Sequence, residues 1–169
     1  MKKIARLIIA ILACITITQG CTVRYSFSGA SISPEVKTVS IARFPNNALL
    51  VAPILSSTLT DALQDKFSRQ TKLTLVPEGG DLSFEGEITN YTSTPAAITG
   101  DETAALNNLT ITVRVRFSNA IDPSQNYDKT FSSFSTYPSS TLLQEAETSL
   151  IPEIVDQLVE DIFNAAVSN

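Results

Sequence analysis

The sequence predicts an α+β fold: a two-layer sandwich with two helices on one face of a mostly antiparallel sheet of four to five strands. Three observations lead there. Leu109, Ile111, Val113, Val115 and Phe117 alternate without a break with Thr110, Thr112, Arg114 and Arg116. Leu150, Ile154, Leu158 and Ile162 step by four, and Val155, Val159, Phe163 and Ala166 widen that stripe. The elements run strand, helix, strands, helix, and each long strand has one apolar and one polar face, as in a sheet covered on one side only.

Taken in order, residues 36–44 form the first strand, with Val39, Ile41 and Arg43 in one phase and Thr38, Ser40 and Ala42 in the other. Pro45-Asn46-Asn47 ends it. A helix follows, with Pro53 in its first turn, where a missing N–H does no harm. It ends near Arg69. Leu55, Leu59, Ala62, Leu63 and Lys66 or Phe67 recur at helical spacing on one face, and Ser56, Asp61, Gln64 and Asp65 fall on the other. Residues 73–76 are a short strand, and Pro77-Glu78-Gly79-Gly80 turns the chain.

Next, Leu82, Phe84, Gly86 and Ile88 face one way, while Ser83, Glu85, Glu87 and Thr89 face the other. Residues 93–107 read as a long loop, of a length that is usually functional or disordered. Its Asp101-Glu102 hints at calcium, although a solvated acidic tip is the simpler reading. After the strand at 109–117, Asp122-Pro123-Ser124 is a turn, and residues 126–136 make a further strand carrying Tyr127, Phe131 and Phe134. In the last helix Ser149 is the expected N-cap and Pro152 sits in the first turn. Residues 142–149 would then be an earlier helical segment, offset by that proline. The sheet face formed by Phe84, Ile88, Ile111, Val113 and Val115 should pack on Leu55, Leu59, Leu63, Leu158 and Ile162. No repeat and no second domain is visible.

The N-terminus reads as a targeting segment. Lys2, Lys3 and Arg6 precede an apolar run at 7–17, and Gly20 precedes Cys21. This divides the chain into a lipoprotein signal peptide (1–20), a lipidated N-terminus and tether (21–35) and a domain (36–169). The box Thr18-Gln19-Gly20-Cys21 fits a lipoprotein peptidase at its small Gly20 and departs from the aliphatic pattern at Thr18 and Gln19. Ile11-Leu12-Ala13-Cys14 is a rival box, and an ordinary secreted protein with an incidental cysteine is the plain alternative. Several acyl chains on Cys21, at roughly 0.8 kcal/mol per buried CH₂, would hold the domain stably on a bilayer.

Composition limits the chemistry. Removing residues 1–20 deletes three basic residues and takes the net charge from −5 to −8, which argues against nucleic acid as a partner. The chain contains no His, so His-based catalysis and His metal sites are excluded. One mature cysteine cannot build a thiolate zinc site or an internal disulfide. No enzyme activity and no cofactor are expected. Glu85 and Glu87 resemble an acid–base pair. In an antiparallel hairpin, however, they fall beside Arg116 and Arg114, and such cross-strand pairs contribute roughly 0.2–1 kcal/mol each. Arg114, Arg116 and Lys129 form a candidate basic patch for a partner or for lipid phosphates. The alternative is a solvated sheet face.

At Cys21, at Tyr25-Ser26-Phe27-Ser28-Gly29-Ala30-Ser31-Ile32 and at Val39-Ser40-Ile41-Ala42-Arg43-Phe44-Pro45-Asn46, the chain resembles the LptE family in its Bacteroidota-type branch. Gln157-Leu158-Val159-Glu160-Asp161-Ile162-Phe163-Asn164 also looks like the end of that family. The likeness implies a non-enzymatic subunit, lipidated at Cys21 on the periplasmic face of the outer membrane. It would plug an LptD-like β-barrel and help carry lipopolysaccharide to the cell surface. The polar sheet face and the 93–107 loop would then look into the barrel lumen. The strand and helix at 39–63 are also similar to periplasmic adaptor lipoproteins that bind a cell-wall synthase or a secretion partner.

Overall fold

The computed structural model describes residues 32–50, 52–96 and 105–167. Five strands appear in it: β1 (Thr38–Ile41), β2 (Thr74–Val76), β3 (Leu82–Pro95), β4 (Leu106–Asn119) and β5 (Tyr127–Pro138). The helices are α1 (Leu55–Gln70) and α2 (Leu143–Val167), with a 3₁₀ turn at Pro123–Gln125. The strands form one sheet in the order β2-β1-β3-β4-β5. β1 runs parallel to both neighbours, and β3, β4 and β5 are antiparallel. The expected two-layer α+β sandwich is therefore present, with a mixed sheet of five strands. The parallel pair follows from the β1-α1-β2 connection, since parallel strands need a crossover.

The core lies between the sheet and both helices. Phe84, Ile88, Ile111, Val113 and Val115 are fully buried there with Leu55, Leu59, Leu63, Leu158 and Ile162, as their periodicities predict. An aromatic ladder crosses both layers: Phe163, Phe67, Phe84, Phe117 and Tyr127 stand with successive ring centroids 4.8–5.0 Å apart. Three of the four pairs are tilted, and Phe117 and Tyr127 are stacked; the spacing is that of favourable aromatic contacts.

Several elements differ from their expected form. β1 is only four residues long; beyond it the Ala42 N–H still donates to the Phe84 carbonyl at 2.9 Å, and the chain rejoins β3 where Asn46 bridges to Ile88. Phe44 lies against Gly86, where a Cβ would come within 2.1 Å of the Arg114 carbonyl and 2.6 Å of the Phe44 ring. Only glycine allows that approach. The Phe44 N–H donates to Thr60 Oγ1 at 3.2 Å, and its carbonyl accepts from Ser56 Oγ at 2.6 Å. Ser56 is thus buried rather than on the outer side of α1, and Arg43 is exposed. Pro53 lies in the turn before α1 rather than within it.

β3 carries a bulge between Ile88 and Asn90. The extra residue shifts the phase, so Tyr91 takes the next inward position. β3 and β4 pair as far as Pro95 and Asn107, so the strands absorb both ends of the expected loop. Residues 97–104, with Asp101 and Glu102, lie outside the described residues, as do Cys14, Cys21 and the whole of 1–31.

α2 is one continuous helix with Pro152 inside it. Ser149 is no cap; its hydroxyl donates to the Ala146 carbonyl at 3.0 Å. The buried stripe of Ala146, Leu150, Ile151, Ile154 and Val155 runs through the proline without interruption. Pro152 itself is exposed, where water can satisfy the carbonyl it strands. In β5, Phe134 is Cα partner to Thr110 and stands 56% exposed on the polar face, whereas Tyr127, Phe131 and Tyr137 pack on the core side.

Candidate functional site

Helices cover one face of the sheet, and among the described residues the opposite face is bare. Strand alternation dictates what that face carries: Ser83, Glu85 and Glu87 from β3, Thr110, Thr112, Arg114 and Arg116 from β4, and, by register, Asp128, Thr130, Ser132 and Phe134 from β5. The expected register of the hairpin is observed, with Glu85 opposite Arg116 and Glu87 opposite Arg114. Glu85 and Arg116 form an ion pair at 3.5 Å.

Arg114 turns instead to Asp128, donating from Nε at 2.8 Å and from Nη2 at 2.7 Å. Two parallel bonds suit the guanidinium fork better than one bond to Glu87. Glu87 accepts from Asn47 Nδ2 at 2.7 Å. The hydrogen bonds from Arg114 hold the Asp128 carboxyl below its ordinary range, and the same bonds push Arg114 up. Further along, Thr112 and Ser132 hydroxyls share a bond at 3.0 Å. A recess of about 250 Å³ opens between Pro45, Gly86, Glu87, Arg114 and Arg116.

The three basic candidates are not brought together. Arg114 and Arg116 are neighbours on the bare face, each matched by a carboxylate. Lys129 is Cα partner to buried Val115 and so belongs to the other face, with its ammonium 4.8 Å from the Tyr127 ring centroid. Period 2 already separates residue 129 from a partner of residues 114 and 116, once the register across the 122–124 turn is known. Asp128 was missed for the same reason: its phase was legible, but the register that sets it beside Arg114 was not.

Chemically, the face is a hydrogen-bonding surface of mixed charge, with three carboxylates to two guanidinium groups. Its carboxylates are engaged by arginine or asparagine. Among the described residues no three metal-ligating side chains converge. No described helix is long and apolar enough to cross a membrane.

Elsewhere, polar contacts fasten the frame. Asp81 Oδ2 accepts from the backbone N–H groups of Lys37 and Thr38 at 2.8 and 2.9 Å, which holds its carboxyl below the usual range. Tyr91 donates to Glu147 at 2.6 Å, and Ser93 bonds Tyr137 at 2.6 Å, tying the far end of the hairpin to α2 and β5. Lys66 and Glu160 join the two helices.

The fold has relatives among solved structures. A minor lipoprotein of Acinetobacter baumannii aligns with 79% of this chain and 94% of its own, at 16% identity and a TM-score of 0.53. A hypothetical protein of Chlamydia trachomatis aligns over 79% and 99%, at 10% identity and a TM-score of 0.54. An uncharacterized lipoprotein B of Nitrosomonas europaea aligns over 83% and 86%, at 13% identity and a TM-score of 0.51. At such identities the likeness concerns the fold alone. No curated protein matches the chain in sequence. The family profile described as LptE, lipopolysaccharide-assembly, matches residues 36–166, nearly the whole described domain. The chain therefore belongs to the LptE family of lipopolysaccharide-assembly proteins.

Proposed function

We propose that this chain is the lipid-anchored subunit of an outer-membrane lipopolysaccharide-assembly complex, and that it docks through its bare sheet face inside an LptD-like β-barrel. The observation that carries this reading is the face itself. It is polar, its arginines are matched by carboxylates, and one exposed phenyl ring interrupts it at the β5 edge. Such a surface is a poor seat for an apolar partner. It suits the polar inner wall of a barrel that encloses water. Lipid on Cys21 would hold residues 36–169 at the periplasmic face, with 21–35 as the tether and 1–20 removed as the signal. The Tyr25 to Ile32 run supports a Bacteroidota-type member. The subunit acts by position rather than catalysis; the absence of His from the sequence supports this. Arg114 and Arg116 are the candidate partner contacts on the docking face. Direct binding of lipopolysaccharide phosphates there would compete with Asp128 and Glu85. Lys129 would have to act from the other side of the sheet.

Purification of the tagged full chain in mild detergent tests the reading. A co-purifying large β-barrel is the expected result; a peptidoglycan synthase or a secretion subunit in its place would favour the adaptor reading. In the same cells Cys21→Ala should leave the protein in the soluble periplasmic fraction or as an uncleaved precursor. Normal lipidation of that variant by intact mass would move the anchor to Cys14.

A further inference from the structure

The two edges of the sheet are guarded very differently. The β2 edge is three residues long and stops at Pro77. The β5 edge is twelve residues long and pairs with β4 through an unbroken register with no bulge. Its only charged residues, Asp128 and Lys129, sit at the start, and from Thr130 to Tyr137 there is neither a charge nor a proline. Half of the backbone N–H and C=O groups of an edge strand point away from its neighbour. Among the described residues no strand meets them here. Charge, proline, bulges and shortness are the devices that keep edges from pairing, and this stretch uses none of them.

The neighbouring helix indicates what should pair. α2 lies over β5, with Ser135 donating to Glu153 at 3.1 Å and Ser133 donating to Gln157. Every charged side chain of α2 is acidic. Opposed residues of an antiparallel pair share a face, so a second copy joined edge to edge would set two acidic helices side by side. Like charges so placed repel. A single foreign strand meets no such obstacle, and basic side chains at its alternate helix-side positions would find α2 attractive. Its other side would meet Thr130, Ser132 and Phe134.

We propose that β5 is a strand-acceptor edge. An extended segment of the barrel partner adds to it as a sixth strand, with Lys or Arg at alternate positions facing α2 and uncharged residues facing Phe134. Main-chain bonds give affinity in such additions, and alternate side chains give register. This rests on the barrel-docking reading above.

The test uses the full chain co-expressed with the β-barrel encoded in the same genome. Photo-crosslinkers are placed at Thr130, Ser132 and Phe134, with Leu75 on the β2 edge as comparison, and amide hydrogen exchange is followed over β5. The expected result is that the β5 positions capture one contiguous, alternately basic barrel segment and Leu75 does not. About half of the β5 amides should then exchange at least tenfold more slowly in the complex than in the free chain. If the barrel co-purifies but β5 exchange is unchanged, the strand-acceptor inference is overturned while the docking reading stands. Capture of a second copy, or of a barrel segment without alternate basic residues, also overturns it. If no barrel co-purifies, both fall together.

Discussion

β4 is one strand with two unlike faces. Leu109, Ile111, Val113, Val115 and Phe117 are at most 2% exposed, while Arg114 and Arg116, between them in sequence, keep more than half of their side-chain surface in water. Fully burying an aliphatic side chain is worth roughly 1.5–3 kcal/mol, whereas exposed ion pairs are worth about 0–1 kcal/mol at most. The inner face therefore supplies the stability. The outer face costs the fold little to change, and so is free to be shaped by what it meets.

Cutting the inner face should produce the largest loss. Leu158→Ala removes a fully buried side chain from the helix side of the core and should cost about 2–5 kcal/mol. Thr112→Ala, on the outer face of β4, should stay within about 0.5 kcal/mol. Urea midpoints of the two variants measure the contrast directly; comparable losses would mean that the bare face also carries stability. Gly86→Ala comes next. Its methyl group would meet the Arg114 backbone carbonyl and the Phe44 ring, and overpacking of this kind costs about 1–3 kcal/mol. A Gly86→Ala protein as stable as wild type would show that Phe44 can leave its seat freely.

What could be read from the sequence divides along the same line. Wherever one face is buried, the period decided the outcome, and residues 109–117 and the C-terminal stripe were legible in full. Failures came where a tertiary contact overrode a local rule. Ser56 looked polar and outward, yet it caps the Phe44 carbonyl. Pro152 looked like a helix start, yet a core stripe on both sides carried α2 through it. The bulge that brings Tyr91 inward leaves no trace in the alternation before it. On the bare face, residue types were legible and partners were not. Asp128 and Lys129 are adjacent in sequence, and only the β4–β5 register tells which one meets Arg114.

A smaller effect sits where the two faces meet, at the far end of the hairpin. Tyr91 is buried at its ring and donates to Glu147 at its hydroxyl. Burial, reinforced by that carboxylate, pushes its ionisation far above the usual range, so it remains a donor at any working pH. Tyr91→Phe keeps the packing and deletes one hydrogen bond, which should cost about 0.5–1.5 kcal/mol. Hydrogen exchange should then quicken near Ser93 and Tyr137 before it does in the middle of β4. Uniform loss of protection across the sheet would mean that the tyrosine anchors more than its own end.

The smallest effect on stability should come from Asp128→Asn. The carboxyl is held below its ordinary value of 3.8 by the bonds from Arg114. A group depressed in the folded state contributes stability that is present above its unfolded value and lost as the pH falls through the folded one. Wild type should therefore keep a slight advantage over Asp128→Asn at neutral pH. That advantage should fade below about pH 4 and shrink in high salt, because exposed pairs are screened. Glu87, the Cα partner of Arg114, can take over part of the role and reduces the loss further. A urea-midpoint gap that widens on acidification would contradict this account. The same substitution leaves Arg114 on the bare face without its paired carboxylate, so barrel co-purification should respond to it more clearly than the unfolding midpoint does. If the order is reversed, with the fold weakened and the complex untouched, the pair belongs to the frame and the docking surface lies elsewhere.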